Sequence, residues 1–121
     1  MGRTNEFTLV ADGDFAGKLG YAVKVKAETL VHNTPVGTLA GAGEAIDGIV
    51  TDITAGNPQL LAVAKVGDIV FATIGTGGAK VGDELAVEAG GKLIKQTSTA
   101  KTVAKALATG NADERIPVII K

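Results

Sequence analysis

The chain has 121 residues, and its 12 Lys+Arg against 13 Asp+Glu leave a formal charge of −1, so no basic field would draw it to nucleic acid or to an anionic membrane. The lack of cysteine removes disulfides, thiolate metal sites and cysteine nucleophiles, and 3% aromatics with no Trp remove the stacking platform used on single strands. No apolar run approaches the ~20 residues of a membrane span and the start MGRTNEFTLV has no apolar signal core, so the chain reads as one soluble domain made inside the cell.

Glycine punctuates the chain, 17 residues in all, between short runs rich in Val, Ile, Leu, Ala and Thr. Phe7–Val10 is the first predicted strand. Asp12-Gly13-Asp14 has the opening of a calcium loop, but Ala16 and Lys18 stand where oxygen donors belong, and a polar turn is expected. In Tyr21-Ala22-Val23-Lys24-Val25-Lys26 the period of two puts Tyr21, Val23 and Val25 on one face and both lysines on the other, the pattern of a half-buried strand. His32, the only histidine, has no second His or Cys to share a metal and reads as a turn residue beside Asn33.

Thr34–Ala42 opens with Thr-Pro, which suits a helix N-cap and first position, although Gly37 and Gly41 weaken it. Further strands are predicted at Ile46–Ile53, Leu60–Ala64, Ile69–Ile74, Glu84–Val87, Lys92–Thr97 and Arg115–Ile120. Lys65-Val66-Gly67-Asp68-Ile69-Val70 and Lys80-Val81-Gly82-Asp83-Glu84-Leu85 repeat one pattern, in which Gly-Asp makes a tight turn into a strand. Thr99–Thr109 can be written as a helix through Val103, Ala106 and Leu107, or as a strand that alternates Lys101, Val103, Lys105 and Leu107 against Thr102, Ala104, Ala106 and Ala108. Short strands with turn signals between them predict an all-β domain, a small sandwich or barrel. The expected division is an N-terminal arm with the first strand over 1–19 and a β-rich domain over 20–121.

Chemistry is sparse in this sequence. GTGGAK at 75–80 lacks the Gly-Lys-[Ser/Thr] of a phosphate loop, since Gly78 is followed by Ala79, Lys80 and Val81. A dinucleotide fingerprint fails at Lys80, where a third glycine is needed. Ser98, the only serine, has no nucleophile elbow around it. Asp83-Glu84 and Asp113-Glu114 are adjacent carboxylates in turns and read as solvated charge. Lys24 and Lys26 read as edge protection on a polar strand face. No cofactor or metal is expected, and no catalysis.

The second half has a rhythm: Val66-Gly67-Asp68-Ile69-Val70, Lys80-Val81-Gly82-Asp83-Glu84-Leu85, Gly90-Gly91-Lys92-Leu93-Ile94, Val103–Ala108 and Glu114–Ile120. It resembles the capsid decoration, or cement, proteins of tailed bacteriophages, and Gly20–Lys26, Asp47-Gly48-Ile49-Val50 and Leu60–Ala64 resemble the early strands of that family. The chain departs from the pattern where Gly110-Asn111-Ala112-Asp113-Glu114 spreads out the family's Ala-Gly-Glu, and at 34–44, which looks like an insertion. The resemblance implies a β-rich homotrimer, made in the host cytoplasm and carried on the outer capsid surface of the virion. There it bridges major-capsid-protein subunits, with no direct nucleic-acid or membrane contact. It also implies a strand over Thr99–Ala108.

For such a role the N-terminal segment is the candidate docking arm. Arg3, Thr4, Asn5 and Glu6 are polar, while Phe7 and Leu9 alternate with Thr8 and could add to a capsid sheet edge. A frayed terminus leading into the first strand is the plainer reading. The competing function is a biotinyl- or lipoyl-like carrier domain, which uses similar Lys-x-Gly-Asp turns. Against it, no Met-Lys-Met or Asp-Lys-Ala occurs. A small enzyme is the third reading.

Overall fold

The computed structural model describes residues 6–56, 58–97 and 100–121. It is all-β, with no helix among the described residues and ten strands. Five of them close a barrel: β1 (Phe7–Ala11), β2 (Ala22–Val31), β3 (Thr34–Leu39), β4 (Gly48–Thr54) and β5 (Leu60–Ala64), in the order β1-β3-β2-β4-β5. The other five are β6 (Ile69–Thr73), β7 (Glu84–Val87), β8 (Leu93–Lys95), β9 (Ala104–Ala106) and β10 (Arg115–Ile120), in the order β6-β10-β9-β7-β8. A parallel bridge between Ile74 and Leu93, with the Gly75 N–H on the Leu93 carbonyl at 2.8 Å, draws the two ends of this second sheet together.

The turns explain why glycine recurs. In the two Lys-Val-Gly-Asp repeats the Asp N–H returns to the Lys carbonyl, at 3.1 Å for Asp68 and 3.0 Å for Asp83. The glycine in the third position has φ of +97° at Gly67 and +89° at Gly82, the conformation that a type II turn demands there. The repeats also dock alike. The Gly67 N–H bonds Ile120 and the Gly82 N–H bonds Ala106, each at 2.8 Å, so one turn device anchors the start of β6 on β10 and that of β7 on β9. At Lys80–Asp83 the Asp carboxylate also accepts the Lys80 N–H at 2.9 Å. Asn111–Glu114 builds the same turn with Asp113 at φ +69° and the Glu114 carboxylate on the Asn111 N–H at 2.6 Å.

Two apolar clusters make the core. Leu9, Phe15, Val23, Val50, Leu61 and Val63 fill the barrel. The second sheet contributes Val70, Ile74, Leu85, Leu93, Val118 and Ile120 to the other cluster, which Ala22, Ile49 and Ala64 join from the outside of the barrel. The small alanines let the layers approach, and main-chain bonds stitch them: the Ala22 N–H to Gly91 at 2.8 Å, the Gly43 N–H to Val87 at 2.8 Å, and the Thr73 N–H to Gly20 at 2.9 Å. Gly48 marks the tightest point in the barrel wall. A Cβ there would lie 2.3 Å from both the Ala64 carbonyl oxygen and Val63 Cγ1.

The helix option at Thr34–Ala42 is overturned, because Thr34–Leu39 is a strand. His32 and Asn33 both take left-handed conformations, with φ of +51° and +62°, and pair Val31 with Thr34. That is the two-residue turn whose twist suits a hairpin. The hairpin also carries a bulge between Val25 and Leu30, with Glu28 at φ +56°. Val25, predicted on a buried face, is therefore exposed where β2 leaves the barrel. In the ambiguous 99–109 stretch the strand wins at Ala104–Ala106, with Ala104 and Ala106 buried on either side of exposed Lys105.

Glycine substitutions separate the two demands. Gly67→Ala meets open space and a left-handed backbone, so it should cost about 1–2 kcal/mol. Gly48→Ala meets backbone at 2.3 Å and should cost about 3 kcal/mol, at the upper end of overpacking. Urea unfolding of both variants checks the order, and equal costs would show that the wall around Gly48 yields.

The loop before β4 yields a pH test. The Lys24 ammonium, and after it the Gly41 N–H, hold the Glu44 carboxyl below its usual range. A carboxyl depressed in the folded state adds stability above its unfolded pKa of about 4.3 and loses it as pH falls through the lower folded value. Glu44→Gln should therefore lower Tm slightly at neutral pH and converge with the parent in acid, as read by thermal melts from pH 7 to 2.

Candidate docking surface

An exposed apolar face lies on the outer side of β6 and β10. Strand alternation sends Val70 and Ala72 inward and leaves Ile69 60% and Phe71 62% exposed. Register sets Phe71 opposite Pro117 and Ile69 opposite Ile119, so four apolar side chains lie in two cross-strand pairs. Arg115 stands at one end opposite Thr73, and Lys105 flanks the other opposite Ile119. Val66, in the turn that leads into β6, is also well exposed. Beside this face a groove of about 670 Å³ separates β6 from β4, lined by Glu6, Gly20, Val50, Thr51, Ile69, Val70, Phe71 and Arg115.

The candidate arm residues are divided by the structure. Arg3, Thr4 and Asn5 lie outside the described residues. Glu6 is exposed, and its carboxylate accepts the Thr51 hydroxyl. Phe7 is half-buried and pairs with Val63, whereas Leu9 is fully buried in the barrel, paired with Leu61 and covering Gly37. The Leu9 side chain is thus committed to the core. An arm that reaches a partner has the residues up to Glu6, with Phe7 at its root.

The glycine-rich stretch at 75–80 forms a turn closed by the Gly78 N–H on Gly75 at 3.3 Å. Its surroundings oppose a phosphate. The Glu88 carboxylate packs against Gly75 and takes the Thr76 N–H at 3.4 Å, while the Lys80 N–H goes to Asp83. Asp14 bonds the Ala16 N–H at 2.9 Å, Asp12 sits 3.6 Å from Lys26, and His32 is an exposed turn residue. Lys24 pairs with Glu44 at 2.9 Å. Ser98 lies outside the described residues. Among the described residues no group of three or more His, Cys, Asp and Glu could hold a metal.

A second cleft, about 740 Å³, opens between the barrel and the second sheet and includes Tyr21, Asp52, Gln59, Lys92, Asp113 and Arg115. Two of its four charges pair with each other. Lys92 Nζ donates to Asp113 at 2.6 Å, and that carboxylate is the chief cause holding the ammonium above its ordinary pKa. The β6–β10 face was not found from sequence, because Ile69-Val70-Phe71-Ala72 is apolar at every position and carries no alternation to tell inside from outside.

No protein-family model matches this chain, and no curated protein matches it by sequence. Its fold is similar to the head fiber gp8.5 N base of bacteriophage phi29, with a TM-score of 0.70 over 98% of this chain and 95% of that one. Sequence identity is 14%, so the likeness is one of fold.

Truncations should separate core from surface. Leu9→Ala should cost about 2–5 kcal/mol. Phe71→Ser, at a site already exposed, should change stability by less than about 1 kcal/mol. Denaturant midpoints check both, and a large loss for Phe71→Ser would mean that the face is structural.

Proposed function

We propose that the chain is a non-catalytic structural protein of a phage virion. It sits on the outer surface of the expanded head as a homotrimer and holds neighbouring major-capsid-protein subunits together. The observation that carries this reading is the fold likeness to a phage head fiber base across nearly the whole of both chains. The sequence rhythm shared with cement proteins points the same way.

The physical demands of such a role match what the surface offers. Cementing needs contact area spread over several subunits, so that individually weak contacts add through multivalency. A threefold arrangement presents three copies of one patch to a shell that has its own local threefold sites. In this reading the polar segment before β1, Arg3 to Glu6, serves as the docking arm. The tight barrel behind it, pinned by Leu9, keeps the arm's loss from unfolding the domain.

The experiment is reconstitution on expanded heads, purified from the phage that encodes the chain but lacking this protein. Saturable binding in multiples of three copies per local threefold site is expected, with a trimer in solution by light scattering. A monomer that ignores such heads overturns the proposal. Deleting residues 2–6 should weaken head binding by ~10-fold or more while leaving the melting temperature within about 2 °C. Unchanged affinity would remove the arm from the docking surface.

A further inference from the structure

We infer that the free edge of β6, at Ile69–Phe71, takes up an extended strand from the partner protein, so that docking proceeds by β-augmentation. This deepens the proposed virion role and rests on it for the partner's identity. The backbone supplies the first argument. Val70 and Ala72 face β10 with their main-chain groups, as the Ile74 N–H on Glu114 and the Ile120 N–H on Asp68 require of the even positions. Pro117, opposite Phe71, has no N–H, and its carbonyl is taken by Leu107 of the β9 side at 2.9 Å. The N–H and C=O groups of Ile69 and Phe71 therefore point away from β10 into the groove beside β4. No partner is found for them there among the described residues. Gly20 takes the Thr73 N–H, and a Cβ on it would lie 3.1 Å from the Phe71 carbonyl oxygen, so the open stretch runs from Ile69 to the Phe71 N–H.

The side chains supply the second argument. An added strand would lay alternate residues beside Ile69 and Phe71, which already stand exposed with Pro117 and Ile119 behind them. At the Thr73 end it would meet Arg115, which has no carboxylate within ion-pair distance among the described residues. The fitting occupant is an extended segment with two apolar side chains at i and i+2 and a carboxylate toward the Arg115 end. A second copy fits less well. β6 reads Ile-Val-Phe-Ala-Thr and has no carboxylate, so edge-to-edge pairing of two copies leaves both arginines unmatched. Main-chain bonds would supply the affinity, and the Phe71 and Ile69 flanks the register.

The test is amide hydrogen exchange of the full chain, free and bound to the expanded heads used above. Ile69 and Phe71 amides should exchange at least tenfold more slowly on the heads. If the chain binds heads and these two amides exchange as in the free protein, the edge proposal falls while the virion role stands. A synthetic peptide, acetyl-Thr-Val-Thr-Val-Thr-Glu-amide, tests the edge without heads. It should slow the same two amides at millimolar concentration, and its N-methylvaline analogue should not. Arg115→Ala should weaken the peptide at least threefold, and Phe71→Ser more. Equal protection by parent and N-methylated peptides overturns the main-chain mode. Protection that rises with the chain's own concentration, with no peptide or heads, assigns the edge to a second copy and overturns the proposal as well.

Discussion

The fold depends on chain reversals whose third residue has positive φ. Strands here are three to seven residues long, apart from β2, and such short elements bury a face only if the chain turns back at once. A two-residue reversal with a left-handed third position does this, and for most L-residues that position costs about 1–2 kcal/mol. Gly67 and Gly82 remove the cost, and each also gives its N–H to a strand of the second sheet. The turn is thus a docking element as well as a hinge. Because it occurs twice in the same way, β6 against β10 and β7 against β9 are started by one local device.

From those reversals follows the layered packing. The barrel core is filled by larger side chains such as Leu9, Phe15 and Leu61, while the seam with the second sheet is lined by Ala22, Ala64 and Ala72. Small residues bring the backbones close enough for direct hydrogen bonds between layers, such as Thr73 to Gly20 and Ala22 to Gly91. The same closeness uses up the β6 edge at Thr73. It leaves the edge open at Phe71 and Ile69, where the layers no longer share a main-chain bond.

Strand positions were legible in the sequence wherever a short apolar run was bounded by turn residues, as at Leu60–Ala64, Glu84–Val87 and Arg115–Ile120. β3 was missed for a physical reason. Thr34-Pro35 satisfies helix-start rules, and the turn before it is made by His32 and Asn33, which reach positive φ without glycine. The bulge at Glu28 was invisible for the same reason. Leu9 was read as an arm residue because its alternation with Phe7 is the same whether a strand joins its own barrel or another sheet. Closure of that barrel depends on the parallel pairing of β1 with β3, a long-range contact that local pattern does not encode. The β6–β10 face was hidden by uniform apolarity, since which side of Ile69–Phe71 is wet is decided only when β10 pairs.

An exposed apolar strand edge is ordinarily a hazard, because it templates uncontrolled sheet growth. Here its length is what limits it. Gly20 occupies the edge at Thr73, and the Lys65–Asp68 turn ends it before Ile69, so only two residues are free to pair. Two residues give too few main-chain bonds for a stable fibril contact, and Arg115 and Lys105 place like charges on the same face of every copy. A site this short is weak alone. Repeated over the copies of an oligomer on a lattice with matching spacing, it becomes effectively strong, since each further contact forms at high local concentration. In the proposed virion role, such a site favours a partner that is itself an array, and the edge that is a liability in a free monomer would then select assembled shell over isolated subunits.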